Sequence, residues 1–230
     1  MMIAALIAGI IPDEVIDVMP EFREASGETA LMVAISVTAA LVFGTPIGVL
    51  LHLARRGGLI NKPWLAETLG WAVNVVRSFP FVVLVIAIIP LTRQIAGTGI
   101  GPKAASVPLS IAAVPFFARL VEQSIRDVPR GLAEAAIAAG ASTSQVVRKV
   151  LLPEAMPSLI ASFTTTVISF IAFSATAGLV GGGGLGDLAI RYGYNRFIEP
   201  VMYAAVIVLI VAVQIVQLAG TVAVKIVDKR

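Results

Sequence analysis

The chain contains no cysteine, a single histidine and few charged residues, and each shortage removes a class of function. Without cysteine there is no disulfide, thiolate metal site or sulfur nucleophile. The one histidine, His52, has no second ligand beside it, so no metal centre is expected. No Gly-Lys-Ser or Gly-Lys-Thr occurs, so a Walker A phosphate loop is missing and any ATP chemistry must sit on another chain. Nothing has the pattern of a Ser-His-Asp arrangement or of paired catalytic carboxylates. The expectation is a non-enzyme that binds no cofactor or nucleic acid. Charged residues make up 13%, against about 25% in soluble domains. What is present instead is apolar: 58% hydrophobic residues and a mean hydropathy of +0.95. That is the composition of an integral membrane protein.

Five apolar stretches are long enough for a bilayer core that needs about 20 helical residues. They run from about 29 to 53, 69 to 91, 104 to 121, 157 to 180 and 200 to 224. The third is the shortest and carries Pro108 and Pro115, so it reads as a kinked span inside a bundle. An all-α membrane protein of five spans follows. Residues 1–28 form a lead, 29–225 the membrane domain and 226–230 a tail. The apolar run Met1–Ile11 has no basic region before it and no small-residue cleavage site after it, and reads as a surface-lying lead rather than a signal peptide.

Charge distribution sets the expected orientation. Asp13, Glu14, Asp17, Glu21, Glu24 and Glu28 precede the first span against a lone Arg23. Arg55, Arg56 and Lys62 follow it; Arg126, Arg130, Arg148 and Lys149 lie between spans three and four; Lys225, Lys229 and Arg230 end the chain. The positive-inside rule then puts the N-terminus outside and the C-terminus in the cytoplasm. Gly44 and Gly48 have the small-xxx-small spacing of close helix packing, within one subunit or between two.

The polar insert from about Asp127 to Met156 stands out in so apolar a chain. Pro129 and Gly131 close the third span, and Leu132–Ala139 reads as a short alanine-rich helix carrying Glu134. Gly140 stops it. Ser142-Thr143-Ser144-Gln145 has the pattern of a capping box that opens a second short helix. Arg148 and Lys149 fall in its last turns, where cations suit the helix dipole, and Pro153 ends it. Such a knob suits a partner's groove. Its chemistry equally suits a loop lying on lipid headgroups.

Glu134-Ala135-Ala136, then Gly140, Val150 and the pair Leu152-Pro153 resemble the cytoplasmic signature of bacterial ABC importer permeases, EAA…G…I-x-LP, with Val150 in place of the common isoleucine. The segments Val73–Leu84, Ile89–Gly101 and Gly181–Tyr194 resemble methionine importer permeases in particular. The resemblance covers about residues 28 to 225. It implies a type I importer permease fold and a homodimer in the bacterial cytoplasmic membrane. It also implies two copies of an ATP-binding subunit docked on Glu134, Ala135, Ala136, Gly140, Val150, Leu152 and Pro153, and an extracytoplasmic methionine-binding protein. In that family the Gly181–Tyr194 region lies outside, where Asp187, Arg191, Tyr192 and Tyr194 are candidates to meet the binding protein.

Other features have plainer readings beside the functional one. Gly181-x-Gly183-x-x-Gly186 formally fits a dinucleotide fingerprint but has no βαβ unit around it, so a glycine-rich turn or re-entrant loop is expected. Arg77, inside the second span, pairs or snorkels, or else serves the substrate pathway. Arg119, Glu122 and Arg126 have the spacing of a surface ion-pair cluster. The fourth span offers Thr164, Thr165, Thr166, Ser169, Ser174 and Thr176, with Met156 and Phe163 to narrow a pore; hydroxyls bonded to the preceding turn are the alternative. A channel or secondary transporter is the rival class. No clear repeat and no acidic residue deep within a span supports it.

Overall fold

The computed structural model describes residues 12–228 and is helical throughout, with no strand among the described residues. The surface-lying lead expected at Met1–Ile11 lies outside the described residues. Helix α1 is the short Asp13–Asp17. Helix α2 then runs from Met19 to Ala54, 36 residues with a π-helical stretch at Ala40–Gly44. Helices α3 (Pro63–Ser78), α4 (Phe81–Ala87) and α5 (Ile89–Ala96) follow. Helix α6 is Pro102–Arg126 and α7 is Arg130–Ala138. Helix α8 runs from Thr143 to Gly178 with a π stretch at Val147–Leu151. Helix α9 is Gly184–Leu188, continued as π turns to Tyr194, and α10 is Glu199–Val227.

Four helices, α2, α6, α8 and α10, are long and apolar enough to cross a bilayer. The expected second span is different: α3 and α4 meet at a 97° bend, so it is a broken span or a re-entrant loop. Pro80 is the cause. It has no N–H to continue the ladder, and it forces the residue before it out of the α region. Phe79 accordingly sits at φ −70°, ψ 129°.

Four further expectations about boundaries change. Helix α2 begins at Met19, so Glu21, Glu24 and Glu28 lie on its first turns and not in a separate lead. Helix α6 runs for 25 residues, longer than the 104–121 expected, and carries Pro108 and Pro115 within it. Gly131 belongs to α7, whose N-cap is Pro129. The last difference is the most informative. Pro153 does not end the second short helix of the insert, which runs straight on into the fourth span as α8. A helical proline clashes with the carbonyl four residues back. For Pro153 that residue is Lys149, at the centre of the π stretch Val147–Leu151, where the wider turn gives room. The same device recurs in α2, where Pro46 follows the π stretch Ala40–Gly44 and its clash partner is Val42. Arg148 and Lys149 are therefore mid-helix, and the dipole argument for them fails.

The chain divides into two compact units. The first comprises residues 1–35, 81–109 and 169–215. Its core joins Val15, Phe22 and Ala25 to Leu185, Leu188, Tyr192, Val201 and Ala205. Phe173 links aromatic rings here, stacked on Phe81 at 5.1 Å and edge-on to Phe170 at 5.2 Å. The second unit comprises residues 36–80, 110–168 and 216–230. In it α2 lies directly on α6: a Cβ on Gly44 would stand 2.8 Å from the Val114 carbonyl oxygen, and one on Gly48 2.6 Å from Val121 Cβ. The paired glycines thus serve packing inside this chain. Ser124 of α6 accepts a hydrogen bond from Ser158 at 3.0 Å and shares one with Ser162 at 3.1 Å, tying α6 to α8.

The outward faces of α8 and α10 differ. Helix α10 exposes large aliphatics along its length, among them Ile207, Ile210, Ile215, Leu218, Val222 and Ile226. Covering each such side chain gains about 1.5–3 kcal/mol relative to water, so this face needs lipid or another chain. Helix α8 exposes Ala161, Thr165 and Ala172 at helical spacing, a small and partly polar strip.

Candidate functional site

The insert is built from local signals that act as written in the sequence. Helix α7 ends where Gly140 takes φ +82°, a conformation a residue with a Cβ adopts only under strain. The Gly140 N–H donates to Ile137 and the Ala141 N–H to Ala136, which satisfies the last carbonyls of α7. Ser142 and Gln145 form the reciprocal capping box, with Ser142 N–H on Gln145 Oε1 at 2.8 Å and Gln145 N–H on Ser142 Oγ at 3.4 Å. Behind the cap, Val146 and Leu151 are buried and anchor the start of α8.

Helix α7, in contrast, has no buried residue at all. Glu134 and Ala135 are exposed and Ala136 is half-buried; Gly140 and Pro153 are exposed, with Val150 and Leu152 half-buried. Leu132 is 41% and Ile137 46% exposed. A nine-residue helix is marginal on its own in water. One with no buried residue gains little from packing against the rest of the described chain.

The expected ion-pair cluster forms, but it is not a surface cluster. Glu122 is 6% exposed and accepts from Arg119 at 2.6 Å and from Arg126 at 2.7 Å. Arg119 also donates to the Gly70 carbonyl at 3.0 Å and to Asn74 Oδ1 at 3.1 Å. One guanidinium thus fastens α3 to α6. This long-range role had no local signal in the sequence.

The glycine-rich turn is a second constellation. Gly181, Gly183 and Gly184 all have positive φ, between +77° and +83°. They open α9, whose free amides are taken by side chains from α2: Gly184 N–H donates to Glu28 Oε2 at 2.7 Å and Leu185 N–H to Thr29 Oγ1 at 2.9 Å. A Cβ on Gly183 would stand 2.6 Å from the Glu28 carboxylate, and one on Gly184 2.7 Å from Thr29 Oγ1. The glycines let the backbone close on an anion, as in a nucleotide loop, but the anion is the chain's own Glu28. The dinucleotide reading ends there.

Beyond α9, Tyr192 is 7% exposed and its hydroxyl donates to Glu21. That hydrogen bond first, then burial, holds its phenol above the usual pKa of 10.0. Arg196 and Arg191 lie over its ring, 4.5 and 5.4 Å from the centroid. Arg191 also pairs with Asp187 at 3.3 Å and approaches Glu21 at 3.6 Å. Tyr192 therefore serves the interior of its unit, which corrects its place among the contact residues. Tyr194, 73% exposed, is free to meet another molecule.

The candidate pathway residues lie on α3 and α8. Arg77 is exposed in the last turn of α3, with no ion pair among the described residues. Phe163 packs edge-on against Phe117 at 6.0 Å. Met156 is 39% exposed, Thr165 is exposed and Ser169 half-buried. Thr165 donates to the Ala161 carbonyl at 3.0 Å, and Thr164, Thr166 and Thr176 likewise donate four residues back. Those hydroxyls spend their protons on the helix itself. Among the described residues no group of His, Cys, Asp and Glu could hold a metal.

Comparison with known proteins agrees with this geometry. Residues 44–230 match the family model of the binding-protein-dependent transport system inner membrane component. The chain is 50% identical over 206 residues to the probable D-methionine transport system permease protein MetI of Vibrio cholerae, covering 90% of this chain and 92% of that one. It is 41% identical over 181 residues to the methionine import system permease protein MetP of Bacillus subtilis, covering 79% and 82%. Among solved structures, it superposes with a TM-score of 0.91 and 42% identity on a chain of the MetNI methionine ABC transporter in an inward-facing conformation, covering 93% of this chain and 99% of that one. An amino acid ABC transporter with histidines, 18% identical with a TM-score of 0.70, shares the fold. The chain is a multi-pass membrane protein and belongs to the family of binding-protein-dependent transport system inner membrane components.

Proposed function

We propose that this chain is the permease subunit of an ATP-driven importer of methionine, in the D or L form, and works as a homodimer with two copies of an ATP-binding subunit. The observation that carries the docking half of this reading is the bare helix α7, set beside a rigidly capped start of α8. The names of the relatives at 41% to 50% identity carry the substrate half. Glu134, Ala135, Ala136 and Gly140 form the docking surface with Val150, Leu152 and Pro153, and these last three lie within α8, which runs unbroken from Thr143 into the span. A push on the knob therefore moves the spanning helix as one rod.

The mechanism is alternating access. ATP binding closes the partner subunits, draws the two knobs together and turns the dimer outward to receive substrate from an extracytoplasmic binding protein. Hydrolysis returns it inward. The loop orientation from the positive-inside rule puts α7 in the cytoplasm and the Gly181–Tyr194 segment outside, with Asp187, Arg191 and Tyr194 as candidate contacts for that protein. The small exposed strip of α8 (Ala161, Thr165, Ala172), with Met156, Phe163, Ser169 and Arg77, is the candidate pathway wall, while the aliphatic face of α10 suits lipid.

Reconstitution in liposomes with the cognate ATPase and binding protein tests this reading. ATP-dependent uptake of labelled methionine, competed by unlabelled methionine and not by other amino acids, is the expected result. Uptake without methionine preference would overturn the substrate and leave the permease.

A further inference from the structure

A cavity of about 230 Å³ lies in the second unit, between the turn after α2 and helix α7. At roughly 30 Å³ per water, that is room for several waters or one compact polar group. One wall holds His52, Arg55 and Arg56, the other Arg130 and Glu134. The three arginines of the lining outnumber its one carboxylate, Glu134. Arg56 is largely exposed and pairs with Glu67 at 3.3 Å. The nearby carboxylate Glu122 already holds Arg119 and Arg126. Arg55 and Arg130 have no ion pair among the described residues, and burial, then Arg126 and Arg130, press the Arg55 pKa below its usual value. His52, 9% exposed, lines the same cavity with its Nδ1 buried and without a hydrogen-bond partner.

Two guanidiniums without a carboxylate partner among the described residues, on one cavity, describe a site with room for an anion. We propose that this cavity binds a phosphate group, held by the forked donors of Arg55 and Arg130. Guanidinium matches phosphate geometry bidentately, and Arg55 and Arg130 line the same cavity. Two sources share this chemistry. Arg55 directly follows the last residue of a spanning helix, at the end expected to face the cytoplasm, and anionic phospholipid headgroups of that leaflet are one source. Inorganic phosphate from solution is the other. Either occupant would brace α7 against the end of α2. Binding stands apart from the import reading; only its effect on coupling rests on that reading.

The test uses the assembled transporter with its ATPase subunits. Native mass spectrometry from micelles doped with phosphatidylglycerol or phosphatidylcholine reads lipid retention, and equilibrium dialysis reads labelled inorganic phosphate. We expect phosphatidylglycerol to be retained, with R55Q/R130Q lowering retention at least fivefold. Arg55→Lys should keep most of it, and Lys225→Gln, at an exposed position away from the cavity, should change nothing. Phosphate bound instead, and lost in the same double variant, upholds the site with a soluble source. Should the double variant fail to assemble, wild-type protein cross-linked to a headgroup-azide phosphatidylglycerol, or to a photoreactive phosphate analogue where phosphate is the source, must be labelled at residues 52–59 or 128–137. Retention indifferent to R55Q/R130Q and to headgroup charge, with no phosphate bound, overturns the proposal and leaves the cavity to a carboxylate of the ATPase. Labelling elsewhere overturns it equally.

Discussion

The Gly181–Tyr194 turn and the Arg130–Pro153 insert are both short, glycine-punctuated breaks between long helices, yet they treat their polar groups in opposite ways. The turn is closed. Glu28 and Thr29 cap its helix, Glu21 takes the Tyr192 hydroxyl, and Asp187 holds Arg191. The insert is open. Its caps come only from within itself, and α7 buries nothing. A segment closed by its own chain serves the fold, and one with local structure but no cover awaits a partner. Gly184 and Gly140 state the difference at one atom. Both have φ near +80°, but a Cβ on Gly184 meets Thr29 and Met32 within 2.8 Å, while one on Gly140 meets nothing within 4 Å.

The largest effect expected from breaking this contrast comes from that pair. Gly184→Ala adds a collision in a packed site to the cost of the left-handed backbone, together about 3 kcal/mol or more. Gly140→Ala carries the backbone cost alone, about 1 kcal/mol. Thermal unfolding in detergent should show a clear fall in midpoint for the first and a small one for the second; equal falls would erase the distinction. Next is Glu122→Gln, which leaves two guanidiniums without their carboxylate. Since Arg126 is half-exposed, about 2 kcal/mol is the discounted expectation, read as a lower denaturation midpoint.

Much of the insert was legible because its signals are local. Gly140 as a stop and Ser142 with Gln145 as a capping box act over a few residues, and they stand where the sequence put them. The closed turn was not legible, since Glu28 and Gly184 are 156 residues apart and an acidic residue near a span reads first as a topology signal. Pro80 and Pro153 share one residue type and have opposite outcomes. Pro80 breaks its helix, whereas a π stretch accommodates Pro153. Periodicity carries no mark of that choice. It does leave one usable pattern: in both α2 and α8 the π stretch ends two residues before a proline.

Smaller effects sharpen the same comparison. Glu28→Gln keeps the shape of the α9 cap but loses its charge, at about 1–1.5 kcal/mol; hydrogen exchange at Gly184 and Leu185 should accelerate while the insert is unchanged. Tyr192→Phe removes the hydrogen bond to Glu21. Because the folded-state phenol pKa is raised, its contribution is complete below the unfolded value of about 10 and is lost as pH climbs through the folded value. Alkaline unfolding of wild type should therefore show a component above pH 10 that Tyr192→Phe lacks.

The central claim is that the open segment is a docking surface. Its most direct test is the affinity of the purified ATP-binding subunit for this chain in nanodiscs, wild type against Glu134→Lys. Glu134 is exposed and makes no hydrogen bond or ion pair among the described residues, so the substitution should leave the chain folded, with at most a small fall in unfolding midpoint from the arginines that share its cavity. The account predicts affinity at least tenfold weaker, with ATP-driven uptake reduced to match. Undiminished binding and uptake by Glu134→Lys would contradict it.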